Sequence, residues 1–147
     1  MRLRTPLGSA SRAAAGAHRA PPTGGAALDG SPFGSWAATR WQYTRREPPQ
    51  RQVDVVCDLG GSVTLSLSEG TYVLTWDLGH GSRSLAGAVA LERDRITLRP
   101  HGTEEAEALW FRRSGDTLAL SADDSAWAFD GEGHEEPAAF VAVLVRL

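Results

Sequence analysis

The chain has 147 residues, a single cysteine (Cys57) and a net charge of −3. This length suits one domain with a tail rather than two domains, and one cysteine excludes an internal disulfide or a thiolate metal cluster. Residues 1–33 carry a charge of +3, which leaves −6 on the remainder, and an acidic domain is a poor partner for nucleic acid because that binding depends on neutralising phosphates.

Residues 1–33 are rich in Ala, Gly, Pro and Arg and contain few large apolar side chains. Such a segment gains too little from burial to offset its ordering entropy, so we predict a disordered tail. A secretory leader needs an apolar core of about 7–15 residues, and residues 13–17 are too short a run. We expect no signal peptide or lipobox in the chain as given, with a mis-assigned start as the alternative, and the localisation stays open. No run of about 18 apolar residues predicts a transmembrane segment.

From Gly34 onward, apolar residues recur with a period of two, which is typical of half-buried β-strands. The predicted inward rows, separated by turn-forming residues, are Val63, Leu65 and Leu67; Tyr72, Leu74 and Trp76; Leu85, Gly87, Val89 and Leu91; Ile96 and Leu98; Leu109 and Phe111; Leu118 and Leu120; and Trp127 and Phe129. Residues 140–147 form a predicted closing strand. No later segment has a sustained 3.6-residue period, so we predict an all-β domain over residues 34–147.

Short strands joined by hairpin turns fit two architectures, a closed barrel or a two-sheet sandwich. A sandwich usually needs crossover connections longer than most of these turns. Consecutive hairpins favour a meander that closes on itself and removes exposed sheet edges. We therefore predict a small antiparallel up-and-down β-barrel of about eight to nine strands.

Three segments carry a resemblance to a known family. The first predicted strand begins Gly34-Ser35-Trp36, the connection after it reads Pro-Pro-Gln-Arg-Gln-Val-Asp at residues 48–54, and serial hairpins follow. This pattern resembles the lipocalin-like domains of bacteria, a family of largely unassigned function whose members open with G-x-W and carry an N-P-x-Q-x-V-D-like connection. The segment 129–138 is similar to their closing segment.

The resemblance implies a lipocalin-like barrel over residues 34–147 and an expectation of apolar-ligand binding, without catalytic residues. It also implies that Trp36 closes one end of the barrel, with Arg146 packed across its ring. A guanidinium over an indole contributes roughly 0.5–2 kcal/mol. Members often bear export or lipoprotein leaders.

Residues 130–136 read Asp-Gly-Glu-Gly-His-Glu-Glu, and carboxylates around glycines are typical of calcium loops. Aligned on Gly133, however, the first and last ligand positions fall on Ala128 and Phe140. We therefore expect a solvated acidic loop rather than a calcium site. The histidines lie in the tail or in separate predicted turns and lack the spacing of a metal pair; they are His18, His80, His101 and His134. We expect no metal and no cofactor.

Motifs of enzyme catalysis are missing from the sequence. It contains no Gly-x-Ser-x-Gly elbow, no HExxH and no phosphate-binding glycine loop. Cys57 follows two valines and has no identifiable base, so we expect a small buried hydrophobe rather than a nucleophile. An enzyme is therefore disfavoured.

Aromatic residues dominate the predicted inner faces of the strands, and five tryptophans are many for this length. An eight-stranded barrel either fills its interior with side chains or holds one small ligand. Our first hypothesis is a binding module for a small hydrophobic ligand, lined by Tyr43, Tyr72, Trp76, Phe111 and Trp127, with a tyrosine hydroxyl to orient it. The alternative is a structural or protein-interaction barrel with a filled core and no ligand.

Overall fold

The computed structural model describes residues 31–79, 81–129 and 134–147. Their nine strands are β1 Gly34–Arg45, β2 Gln52–Asp54, β3 Ser62–Ser68, β4 Thr71–Asp77, β5 Ser82–Glu92, β6 Arg95–Pro100, β7 Glu107–Ser114, β8 Thr117–Trp127 and β9 Glu136–Arg146. The predicted all-β class is confirmed. Within these ranges, no helix has the length and apolar character needed to cross a membrane.

Eight of the strands form a closed antiparallel barrel. The order is β1-β3-β4-β5-β6-β7-β8-β9, and pairing between β9 and β1 closes the sheet, from Trp36 opposite Arg146 to Arg45 opposite Ala138. The short strand β2 pairs with β1 at three positions beyond the segment that β3 occupies. The predicted up-and-down barrel is therefore confirmed, and the sandwich is excluded.

The barrel has two different ends. Because neighbouring strands are antiparallel, the β3–β4, β5–β6 and β7–β8 turns lie at the end where β1 begins and β9 stops. We call this the closed end. The strand ends that flank the longer β1–β3, β6–β7 and β8–β9 connections lie at the opposite end, which we call the loop end.

Two β-bulges bring to the interior residues whose separation in sequence would place them on opposite faces of a regular strand. Trp36 and Trp41 are an odd number of residues apart in β1, yet both are buried, because the pairing with β9 shifts between Ala38 and Arg40. A β-bulge of this kind lets a strand re-aim its side chains. A second shift, after Ala122 in β8, leaves two aspartates exposed and returns the following residues to the core.

Most of the residues predicted to face inward are buried as expected, but the last one predicted in β5 is exposed to solvent. Leu91, next to last in β5, is 38% exposed, although its partner Ile96 is 1% exposed. Gly87 in the same row sits where a Cβ would lie 2.1 Å from the carbonyl oxygen of Arg99. Only glycine therefore permits the close approach of β5 and β6 at this point.

Trp36 fills the closed end. Its ring is fully buried, and its Nε1 donates to the carbonyl oxygen of Pro32 at 2.8 Å. Arg146 Cζ lies 5.0 Å and Arg113 Cζ 5.4 Å from the centroid of the ring, so the contact expected from the resemblance is present. A Cβ on Gly34, whose φ is 134°, would lie 3.0 Å from the Arg146 guanidinium, which explains the glycine two residues before the tryptophan.

The residues just before β1, which belong to the predicted tail, contact the barrel. Pro32 is buried, Phe33 packs against the core, and Arg113 Nη1 donates to the carbonyl oxygen of Ser31 at 2.7 Å. The reason is that the indole of Trp36 needs a buried hydrogen-bond acceptor, and the preceding segment supplies it. The rest of the predicted tail, residues 1–30, lies outside the described residues.

Asp54 organises the connection between β2 and β3. Its Oδ1 accepts hydrogen bonds from the backbone N–H groups of Trp41 (3.2 Å), Val56 (2.9 Å) and Cys57 (3.2 Å). Asp58 Oδ2 in turn accepts from the Asp54 N–H at 2.8 Å. One carboxylate thus joins this turn to the middle of β1.

Burial of Cys57 was predicted, and the prediction is wrong, because the thiol is exposed. The turn that begins at Asp54 directs Val55 into the core and leaves Cys57 on the outside. The negative charge of Asp54 raises the pKa of the thiol. The thiol is therefore even less reactive than an ordinary exposed cysteine, since the thiolate is the nucleophile.

We predict that Trp36→Ala lowers the free energy of unfolding by about 3–5 kcal/mol, the usual loss for a large aromatic residue removed from a core. Arg146→Gln removes the cation–π contact and is expected to lower it by about 0.5–2 kcal/mol. Urea unfolding followed by tryptophan fluorescence measures both. Arg112→Gln, at an exposed arginine of β7, is the matched control; an equal loss in this variant would contradict a specific role for Arg146.

Asp54→Ala is expected to lower the free energy of unfolding by about 2–4 kcal/mol, because three backbone N–H groups lose their acceptor. Asp58→Ala removes one acceptor at an exposed position, so it serves as the comparison and is expected to cost about 1 kcal/mol or less. The denaturation midpoints of the two variants, compared with that of the wild type, measure these losses. Equal losses would mean that Asp54 does not organise the connection.

Candidate functional site

The five predicted lining residues all lie inside the barrel. Their exposed fractions range from 0% to 7%; the residues are Tyr43, Tyr72, Trp76, Phe111 and Trp127. They come from four strands: Tyr43 from β1, Tyr72 and Trp76 from β4, Phe111 from β7 and Trp127 from β8.

Tyr43 is the centre of an aromatic cluster on the β1–β8–β9 side of the interior. Its ring stacks on Trp127, with centroids 4.6 Å apart and an angle of 13° between the planes. Phe140 of β9 lies 5.3 Å from Tyr43 and 4.8 Å from Trp41. Trp41 Nε1 donates to the Tyr43 hydroxyl at 3.2 Å. Phe140 and Trp41 were absent from the predicted lining set, and the pairing of β1 with β9 adds them.

Glu107 is a charged residue of the interior that the sequence prediction missed. It is the first residue of β7, opposite Leu98 of β6, and only 1% of it is exposed. Among the described residues, neither of its carboxylate oxygens has a hydrogen-bond partner. A signal was available in the sequence, because Glu107 has the same parity as Leu109 and Phe111, which were assigned to the inner face.

Other buried polar atoms resemble the Glu107 oxygens in this respect. Within the described part of the chain, buried atoms with no hydrogen-bond partner include Tyr72 OH, Trp76 Nε1, Trp127 Nε1 and Ser125 Oγ. Ser125 and Trp127 follow the bulge in β8 that returns the strand to the core. Buried polar groups are nearly always paired, and each that is not costs about 1–3 kcal/mol. The interior thus has more hydrogen-bonding capacity than the described chain uses.

The electrostatic environment of Glu107 is negative. Burial, followed by the charges of Asp124, Glu135 and Glu105, raises its pKa from 4.5 to about 8. Burial also raises the pKa of Tyr72 to about 12, with a further contribution from Glu107. Near neutral pH, Glu107 is therefore mainly a carboxylic acid, able to donate one hydrogen bond and to accept others.

Glu107 also acts on the tyrosine of the aromatic cluster. Burial raises the pKa of Tyr43 well above its ordinary value; the hydrogen bond from Trp41 opposes the shift, and the charges of Glu107 and Glu135 add to it. The charge of the carboxyl at the start of β7 thus acts on a hydroxyl of β1 and on another of β4. These three groups define the polar part of the candidate site.

The acidic segment and the histidines were the candidate metal ligands in the sequence. Within the described ranges, no group of three or more His, Cys, Asp or Glu side chains is arranged to hold a metal ion. Most of the acidic segment 130–136 lies outside the described residues, as does His80. Glu136, at its end, forms an ion pair with Arg45, with Nε and Oε1 3.0 Å apart. His101 and His134 are exposed.

Aromatic walls with a few polar atoms are typical of small-molecule sites. Comparison of the chain with models of protein families, with curated proteins and with solved structures found no match. The chemistry of the interior is therefore the guide to function. It offers hydrogen-bond donors from Tyr72, Trp76 and Trp127, and an ionisable group from Glu107.

We predict that the wild type loses stability relative to Glu107→Gln as the pH rises. Folding raises the pKa of Glu107, so the stabilisation is complete below pH 4.5, the ordinary value, and is lost as the pH rises through about 8. The difference in the free energy of unfolding changes by up to about 1.4 kcal/mol per pH unit in that window.

Urea unfolding of both proteins across this pH window measures the difference. Glu104→Gln, at an exposed acid of the β6–β7 connection, is the control and is expected to follow the wild type. Parallel pH dependences for the wild type and Glu107→Gln would show that Glu107 does not titrate as described.

Proposed function

We propose that this protein binds a small, largely apolar molecule inside the barrel, with a polar group of the ligand at Glu107 and Tyr72. The observation that carries the proposal is the set of buried interior polar atoms without partners in the described chain. A ligand that supplies hydrogen bonds to these atoms removes their desolvation cost and gains that free energy as affinity. The aromatic rings around them supply apolar contact area.

Burial of Glu107 argues against a barrel selected for stability alone. A buried carboxyl without partners destabilises the fold, whereas an apolar residue of similar size there would be neutral or stabilising. Natural proteins depart from the stability optimum where function requires it. The four neutral polar atoms of the interior that lack partners in the described chain lower the stability in the same way, each by a smaller amount.

One observation favours the alternative, a structural or interaction barrel with a filled core. The largest side chains of the interior are less than 2% exposed, among them Trp41, Tyr43, Tyr72 and Trp127, and Tyr43 stacks closely on Trp127. Binding therefore requires side chains of the interior to move apart. Only molecules with an opened interior then bind the ligand, so the apparent affinity is reduced in proportion to their fraction. The two hypotheses therefore differ in whether the barrel binds a small apolar molecule, which an experiment can decide.

The test uses N-phenyl-1-naphthylamine, a fluorophore that is uncharged at neutral pH and brightens in apolar surroundings. We expect saturable binding with one molecule per chain. Energy transfer from the tryptophans shows that the probe binds to the protein. Ser125→Phe fills the interior and is expected to reduce the affinity at least about tenfold, the effect of losing about 1.4 kcal/mol.

Val141→Ser is the matched control, because Val141 lies on the outer face of β9 and is 40% exposed. The proposal requires that this variant bind the probe like the wild type. An equal loss in Val141→Ser would place the probe on the surface of the barrel. The absence of saturable binding in the wild type would favour the filled-core alternative.

A further inference from the structure

The loop end of the barrel concentrates negative charge around Glu107. Glu105 precedes it in the β6–β7 connection, Asp124 lies in the β8 bulge, and Glu135 precedes β9; the charge of each acts on Glu107. Two arginines of this end are held by other groups: Arg45 forms an ion pair with Glu136, and the exposed Arg46 donates to the carbonyl oxygen of Asp123. The potential inside this end of the barrel therefore favours a cation.

Glu107 is more than a member of an acidic cluster. It is the one member that faces the interior, it is 1% exposed, and both of its oxygens lack partners among the described residues. Aromatic rings occupy the same interior, notably the stacked pair of Tyr43 and Trp127. A buried acid among aromatic rings is the chemistry that recognises an organic cation, through an ion pair and cation–π contacts.

Resting on the proposed function, we propose that the ligand is an organic amine whose protonated nitrogen pairs with the carboxylate of Glu107 and whose apolar part packs on the aromatic rings. The ammonium group has up to three N–H donors. Two would satisfy the oxygens of Glu107 and leave one for a further acceptor of the interior, such as the hydroxyl oxygen of Tyr72, whose pKa the charge of Glu107 raises. No covalent step is involved.

Other ligand classes fit the site less well. A carboxylic or phosphate ligand would bring a second negative charge next to Glu107 and its acidic neighbours, and like charges in a buried site are strongly unfavourable. A neutral alcohol would satisfy one or two hydrogen bonds but would gain nothing from the negative potential. The amine alone uses both the acid and the field around it.

Binding of the ammonium requires Glu107 to lose its proton, which gives the affinity a defined pH dependence. Below the pKa of Glu107, about 8, the affinity is expected to rise about tenfold for each pH unit. It then stays level until the ligand loses its own proton near pH 10, the range of an alkyl amine. The other groups whose charge acts on Glu107 are Asp124, Glu135 and Glu105.

The experiment compares matched trios of ligands that differ only in the polar group: hexylamine, hexanol and hexanoate, and 2-phenylethylamine, 2-phenylethanol and phenylacetate. Displacement of N-phenyl-1-naphthylamine and calorimetry near pH 8 give the affinities. In the wild type, we expect at least one amine to bind about tenfold or more tightly than its alcohol, and its carboxylate to bind weakest. Glu107→Gln should abolish the advantage of the amine, and its cooperative urea unfolding transition shows that the variant still folds.

Glu104→Gln, which removes an exposed acid of the same connection, should keep the preference for the amine. Equal binding of amine and alcohol, or a preference that survives in Glu107→Gln, would overturn the proposal and leave apolar-ligand binding intact. If neither the fluorophore nor any trio member binds, the proposed function fails together with this inference.

Discussion

Pairing between β1 and β9 is the constraint on which the interior depends. It runs from the Trp36–Arg146 pair at the closed end to the Arg45–Ala138 pair at the loop end, and it converts a meander into a barrel without free edges. The bulge in β1 keeps this pairing in register while turning both Trp36 and Trp41 inward. A single strand thereby supplies the plug of one end and part of the aromatic cluster near the other.

The two ends use polar groups in opposite ways. At the closed end, each polar group of the plug is satisfied: the Trp36 N–H has its acceptor, and Arg113 and Arg146 face the ring. The interior toward the loop end contains Glu107, Trp76 and Trp127, which have polar atoms that lack partners among the described residues. This asymmetry is difficult to explain by stability and is expected of a barrel with a fixed base and a binding interior.

Alternation of apolar residues was sufficient to predict the strands and most of the core, because a closed barrel buries one face of every strand. The same alternation extends to Glu107, two residues before Leu109, but the prediction did not include it, because a charged residue at the start of a row is normally assigned to a loop. The bulge in β8 and the exposure of Cys57 were beyond prediction, since both depend on hydrogen bonds between segments distant in sequence. The burial of Pro32 likewise depends on Trp36, four residues later.

The central claim is that Glu107, which has no hydrogen-bond partner among the described residues, is part of a ligand site inside the barrel. Native mass spectrometry of the full chain purified from its own host, followed by identification of any released small molecule, tests it most directly. The account predicts a one-to-one adduct that contains a basic nitrogen and is missing from Glu107→Gln prepared in the same way. A ligand-free mass for the wild type, or an adduct that both proteins retain equally, would contradict it.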